Sequence, residues 1–246
     1  MIKNIILSAK KKYFNFKLTH FGNDFLKAVA LNKLNEVELF LTRGVDFQDE
    51  KLNTALHIAA THNLLNMVKL LLEHHANPNM SNLNYDTPLL LICCVYQSPP
   101  DDSRYDDNWH FQVSKKVSSI IKSLVKAGAD VEATNKNNNI PLVLAIRRNY
   151  DQGVKHLLAN GANPLKRDGT ETCSLEVALS FKKMEIVQYI YHLAKDIEQV
   201  EAFTKLNSLY PATKYEFLPL LKSVKLKLSL EKELQERENS NKLRKI

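Results

Sequence analysis

The adjacent thiols Cys93 and Cys94, followed by Asp101, Asp102 and His110, are the residue types a cysteine hydrolase would use. Nucleophilic catalysis needs a thiolate activated by a positioned base, and the residues around the pair form no catalytic motif. A cysteine-dependent hydrolase is therefore the last of the readings carried forward. Asp102, Asp106 and Asp107 lack the spacing and the glycine of a calcium loop. His74 and His75 fall at a helix end, where histidine suits the local dipole, and no Cys or carboxylate stands near them at zinc spacing. No glycine-rich phosphate loop occurs. The sequence predicts a non-enzymatic protein with no catalytic residue, no cofactor and no metal.

The bulk composition places these residues in an ordinary folded chain. Of 246 residues, 44% are hydrophobic and 25% charged, and only 6 are Gly and 8 Pro, which favours helices. No apolar run reaches the roughly 18 residues that cross a bilayer, so no membrane span is predicted. The start offers only Ile5-Ile6-Leu7 before Lys10-Lys11-Lys12, too short for a secretory core. Three cysteines, two of them adjacent, make no disulfide framework, which points to a reducing cytosol and a cytoplasmic location. The net charge of +7 is carried by the ends. Residues 1–21 hold five Lys and no acid, residues 22–195 hold 19 basic and 19 acidic residues, and residues 196–246 hold 10 and 8. A neutral body makes no basic stripe for phosphates, so no nucleic-acid partner is expected.

The elements that position these side chains follow from an internal repeat. Asn53-Thr54-Ala55-Leu56-His57-Ile58-Ala59-Ala60 is followed, 33 residues after Thr54, by Thr87-Pro88-Leu89. Ile140-Pro141-Leu142 and Cys173-Ser174-Leu175 continue the series, with Leu142 and Leu175 again 33 apart and Leu89 to Leu142 longer by 20. A second signature follows each opening: an apolar helical stretch, a stop and a polar connector. Examples are Val68–Leu72 before His75-Ala76-Asn77-Pro78 and Val154–Leu158 before Gly161-Ala162-Asn163-Pro164. Gly44, Gly128 and Gly161 share the stop, where a left-handed residue closes a helix at little cost. Thr54 and Thr87 suit helix caps, and the small Ala59, Ala145 and Ala178 allow close helix approach. One such unit cannot bury its apolar face alone, and stacking neighbours does so. Helices are expected near 24–32, 34–42, 54–62, 64–74, 87–95, 115–126, 141–148, 151–159, 174–181 and 184–194.

This doubled register resembles the ankyrin-repeat family, whose unit of about 33 residues opens on T-P-L-H-x-A. The resemblance implies an all-α ankyrin-repeat solenoid of about five units over residues 22–195, with helical N- and C-terminal caps. Residues 1–21 are expected as a basic N-terminal arm or helix, and 196–246 as a helical cap and tail, in two helices near 196–210 and 215–237. Leu218, Leu221, Val224 and Leu228 suit packing on the last repeat. By the family pattern His57 makes structural hydrogen bonds between units, and Cys93 takes a position that is usually a buried Ala.

The resemblance further implies a protein partner, held on the concave face by connector tips and the exposed side of first helices. By register this nominates Glu50, Lys51, Asn53, Thr61 and His62 in unit two, and Leu83, Asn84 and Asp86 in unit three. In unit four it nominates Lys136, Asn137, Asn139, Arg147 and Arg148, and in unit five Thr170 and Phe181. The insertion, 96–115, adds Tyr105 and Trp109 as aromatic binding candidates; the competing expectation is that Trp109 and Phe111 pin a loop onto its own repeat. The tail run Glu231–Glu238 reads as a charged helix face with (i, i+4) pairing. It also resembles the Glu-rich tails of type IV secreted effectors of intracellular bacteria, which implies action in a host cytosol as the second reading. A monomer is expected.

Overall fold

The computed structural model describes residues 21–95, 107–194, 197–207, 219, 222–231 and 233–234. Helix α1 covers 21–30. It is followed by α2 (Leu34–Leu41), α3 (Ala55–Thr61), α4 (Leu65–Glu73), α5 (Pro88–Cys94), α6 (Asp107–Lys126), α7 (Pro141–Arg147), α8 (Asp151–Ala159), α9 (Ser174–Ser180), α10 (Met184–His192) and α11 (Ile197–Asn207). A last helix, α12, covers 222–231. Among the described residues the only extended pairings are the isolated bridges of Gln48 with Thr54 and Arg167 with Cys173. The fold is all-α, and the helices fall in the register the repeat predicts. The exception is α6, which starts at Asp107 rather than near 115.

The chain forms two compact units, Met1–Asn160 and Gly161–Ile246. In the first, α3, α5 and α7 lie side by side as first helices, and α4, α6 and α8 lie side by side as second helices. Each pair, α3 with α4, α5 with α6 and α7 with α8, packs as a hairpin. Leu56, Leu89, Ala59 and Ala145 of the first helices are completely buried, as are Met67, Val68, Leu71, Ile120, Leu124, Val154 and Leu157 of the second. The Thr87 hydroxyl accepts from the Leu90 N–H and Pro88 occupies the first turn of α5, the arrangement that fixes a helix start. Gly128 and Gly161 close their helices at φ +87° and +93°. Gly153 serves a different purpose. A Cβ there would meet Ile121 Cδ1 at 2.6 Å, and its N–H donates to Ser118 Oγ at 3.0 Å, so its lack of a side chain lets α8 approach α6.

At the N-terminal end, unit one lacks the opening motif and uses aromatic packing instead. Phe21 and Phe25 each meet Phe40 and Phe47 edge-on at 5.0–6.1 Å, and the Arg43 guanidinium lies 4.9 Å from the Phe21 ring. In the second unit α9 packs on α10 and α11. Tyr191 and Phe203 meet edge-on at 5.3 Å. In α12 Val224 is buried and Leu228 half-buried, while Leu226 and Leu230 are exposed. Leu218 and Leu221, most of the basic arm 1–21 and the tail beyond 234 lie outside the described residues. Lys227 and Glu231 form an (i, i+4) pair at 3.7 Å, and the pairing expected inside the run Glu231–Glu238 falls mostly on residues outside the described ones.

Candidate binding surface at the connector tips

Each connector ends in a turn held by one Asx side chain, and the four turns keep the repeat spacing: Asp49, Asn82, Asn135 and Asp168. Short polar side chains that bind the backbone two and four residues on are turn formers. Asp49 Oδ1 accepts from the N–H groups of Lys51 and Asn53 at 2.8 Å. Asn82 Oδ1 accepts from Asn84 and Asp86 at 2.9 and 3.0 Å. Asn135 Oδ1 accepts from Asn137 and Asn139 at 3.0 and 3.1 Å. Asp168 Oδ1 accepts from the Thr170 N–H at 2.9 Å and from its hydroxyl at 2.6 Å.

In the first unit the turns are also joined to one another. The Leu83 N–H donates to the Lys51 carbonyl and the Lys136 N–H to the Asn84 carbonyl, both at 3.0 Å. Asn82 Nδ2 donates to Asn53 Oδ1 at 3.0 Å, and Asn135 Nδ2 to Asp86 Oδ1 at 2.7 Å. His57 is buried beneath this ladder. The Thr54 N–H donates to its Nδ1 at 3.0 Å, so Nδ1 is the acceptor and Nε2 carries the proton donated to the Asp86 carbonyl at 2.9 Å. Burial pushes the His57 pKa below its ordinary value, outweighing the Asp86 carbonyl and the Asp86 and Asp49 charges. His57 is therefore the structural stitch between units that the resemblance implied.

The turn position three residues after each Asx carries positive φ: Leu52 (61°), Tyr85 (61°), Asn138 (53°) and Glu171 (58°). Asn tolerates this region, whereas a bulky side chain there is an outlier. Leu52 and Tyr85 are nonetheless 40% and 59% exposed, and Leu83 beside them is 51% exposed. Lys136 Nζ lies 5.3 Å from the Tyr85 ring centroid, a cation–π distance. Leu52 and Tyr85 were not among the nominated residues. The signal that could have found them is the register, which aligns both with Asn138.

The nominated residues divide by what their side chains already do. Glu50, Lys51, Leu83, Asn84, Lys136 and Asn137 are exposed at the tips. Asn53 and Asp86 are half-buried and their polar atoms serve the ladder; Asn139 is half-buried as well. Thr61 and His62, at the end of α3, bind the carbonyls of His57 and Ile58. Arg147 and Arg148 are exposed at the end of α7, and both take part in interactions. In the second unit Thr170 is bound to Asp168, and Phe181 is 58% exposed at the end of α9. Tyr105, with Asp101, Asp102 and Asp106, lies outside the described residues. Trp109 and Phe111 sit on two extra turns of α6 and not on a loop; Trp109 is half-buried and Phe111 63% exposed, so Phe111 does not pin the insertion to its repeat.

Cys93 is buried, and burial pushes its thiol pKa far up, the reverse of what a nucleophile needs. Its neighbour Cys94, the last residue of α5, is exposed. Among the described residues no group of three or more His, Cys, Asp or Glu is placed to hold a metal, and no helix is long and apolar enough to cross a membrane.

Comparison with known families and proteins gives the same register. Residues 41–91 match the family model described as ankyrin repeats (many copies), and residues 109–201 match ankyrin repeats (3 copies), together more than half of the chain. The gap between the two matches contains most of the insertion. The chain is 29% identical over 119 residues to human transient receptor potential cation channel subfamily A member 1, covering 48% of the chain and 9% of the channel. It is 32% identical over 131 residues to the Caenorhabditis elegans homolog of that channel, covering 49% of the chain and 10% of the homolog. It is 29% identical over 154 residues to palmitoyltransferase AKR1 of Lachancea kluyveri, covering 54% of the chain and 21% of the transferase. The chain thus spans a fifth or less of these relatives, apart from a marginally larger share of the transferase.

Proposed function

The chain belongs to the ankyrin-repeat family, and we propose that its connector tips bind a protein partner, with Leu52, Leu83, Tyr85 and Lys136 at the centre of the contact. The repeats make it a protein–protein interaction module; the choice of surface is the step beyond that. One observation carries it. Leu52 and Tyr85 hold positive φ, which costs a non-glycine residue roughly 1–2 kcal/mol, yet neither is offset by full burial, Leu52 being 40% and Tyr85 59% exposed. Strain of this kind persists where a function needs it. A tip that presents Tyr85, an aromatic type that hot spots favour, on a bonded ladder is preorganised for binding, and Leu52 and Leu83 add apolar area beside it. Lys51, Glu50, Asn84 and Asn137 form its polar rim. Arg147 and Arg148, at the end of α7, would extend the contact toward an acidic part of the partner, setting orientation and association rate more than affinity.

The test is crosslinking capture with wild-type protein and with the double variant Leu52→Gly, Tyr85→Gly. Partners retained by the wild type and lost by the folded variant support the tip surface. An Arg147→Ala, Arg148→Ala variant should weaken the same interaction at least about tenfold, in a salt-sensitive way. Full retention of the same partners by the tip variant removes the tips from the site.

A further inference from the structure

The neutral body of the sequence hides a strongly asymmetric helix. Helix α6 has 20 residues, and its sequence holds Lys115, Lys116, Lys122 and Lys126 against one acid, Asp107 at its first position. At 100° per residue Phe111, Lys115, Lys122 and Lys126 fall within about 60° of one another, with Asn108, Gln112 and Ser119 beside them. Phe111 and the four lysines are all exposed. None of these four lysines makes an ion pair among the described residues. The flanking helices do not neutralise the arc: α4 carries Lys69 with Glu73, and α8 carries Asp151 with Lys155. His156 on α8 registers the result. Its pKa is lowered first by burial and then by the charges of Lys122 and Lys126.

We propose that this lysine arc of α6, with Phe111 at one end, is a docking surface for an anionic lipid membrane. Three considerations select this occupant over the other polyanions. The DNA major groove admits one helix, and α6 lies in a layer between α4 and α8, so it cannot enter. The cations are all lysines, point charges that suit a diffuse negative surface, and not the arginine forks that select a carboxylate on an acidic protein. The exposed apolar content is one terminal aromatic, which suits insertion at a headgroup boundary and is too sparse for a protein hot spot. Lysines near an anionic leaflet each add to the attraction. The surface is separate from the connector tips, so a tip-bound partner would be brought to the membrane.

The experiment is vesicle co-sedimentation of the full chain, using phosphatidylcholine alone and phosphatidylcholine with about 30 mol% phosphatidylserine. The expected result is binding to the anionic vesicles only, weakened by salt. The variant Lys115→Glu, Lys122→Glu, Lys126→Glu should partition at least about tenfold less, and the milder triple Gln variant should show an intermediate loss if the reversal disturbs folding. Phe111→Ala should lose about threefold. Because residues 1–21 carry five further lysines, a Lys10→Gln, Lys11→Gln, Lys12→Gln variant is run alongside. Binding abolished by the arm variant but untouched by the α6 variants overturns the proposal. So does equal binding to both vesicle types, or saturable binding to duplex DNA or polyglutamate without vesicle binding.

Discussion

Units two and five build the same helix start with opposite chemistry. In each, the residue three places into the opening reaches back to the N–H of the cap residue. In unit two this is His57, buried and neutral, whose second ring nitrogen continues to the Asp86 carbonyl of the next connector. In unit five it is Glu176, whose carboxylate accepts from the Cys173 N–H at 2.8 Å and meets Arg167 of its own connector at 3.2 Å. Units three and four place buried Leu90 and Val143 in the slot. An imidazole has two ends and can join a unit to its neighbour, whereas a carboxylate paired within its own connector secures only itself. The slot therefore divides a stitched unit from a self-contained one without changing the backbone.

The core of the repeats sets the scale against which that difference is measured. Leu71 and Leu157 are completely buried on second helices, so Leu71→Ala or Leu157→Ala should cost about 2–5 kcal/mol in denaturant unfolding. Next comes the slot itself. His57→Ala removes a buried ring and leaves the Thr54 N–H without its partner, at an expected cost of about 2–3 kcal/mol. Glu176→Gln keeps an acceptor and weakens a pair whose Arg167 side is half exposed, so about 1 kcal/mol or less is expected after solvent screening. Equal losses at the two positions would break the distinction between stitched and self-contained openings.

Acid should separate them as well. The folded pKa of His57 lies below its ordinary 6.5, chiefly through burial. Below that value the unfolded chain takes up a proton that the folded chain resists. The stability His57 contributes is thus complete above about pH 6.5 and is lost as pH falls through its folded pKa. Unfolding free energy measured from pH 7.5 to 5 should fall more steeply for the wild type than for His57→Gln. Parallel curves would mean that His57 is not held neutral.

The register of helices was legible because its signals are chemical necessities. Thr87-Pro88 makes a helix start, and Gly128 and Gly161 end helices in a conformation few other residues accept. The early start of α6 was not legible. Val113, Val117, Ile120 and Leu124 give the core period, and Trp109, four residues before Val113, continues it, but Phe111 falls on the opposite side, so one aromatic was the only burial signal for the extra turns. The lysine arc was lost by averaging charge over 22–195, where the acids of the insertion cancel it in number. Leu52 and Tyr85 were invisible for a different reason: neither side chain announces positive φ, and only alignment with Asn138 does.

That last point yields the smallest predicted effect and the one that best separates fold from function. Tyr85→Gly releases the cost of positive φ, roughly 1–2 kcal/mol. Against this stand the greater unfolded-state freedom of Gly, about 0.5–1 kcal/mol, and the loss of the partly exposed ring with its Lys136 contact, on the order of 0.5–1 kcal/mol. The terms nearly cancel, so stability should change by less than about 1 kcal/mol in either direction. Glu171 supplies the control, since it holds the same conformation at φ 58° without an apolar side chain. Glu171→Gly should be neutral or slightly stabilising and leave partner capture intact, whereas Tyr85→Gly should leave the fold intact and reduce capture. A loss above about 2 kcal/mol for Tyr85→Gly would place the ring among the residues that hold the fold, and its strained conformation would then need no partner to account for it.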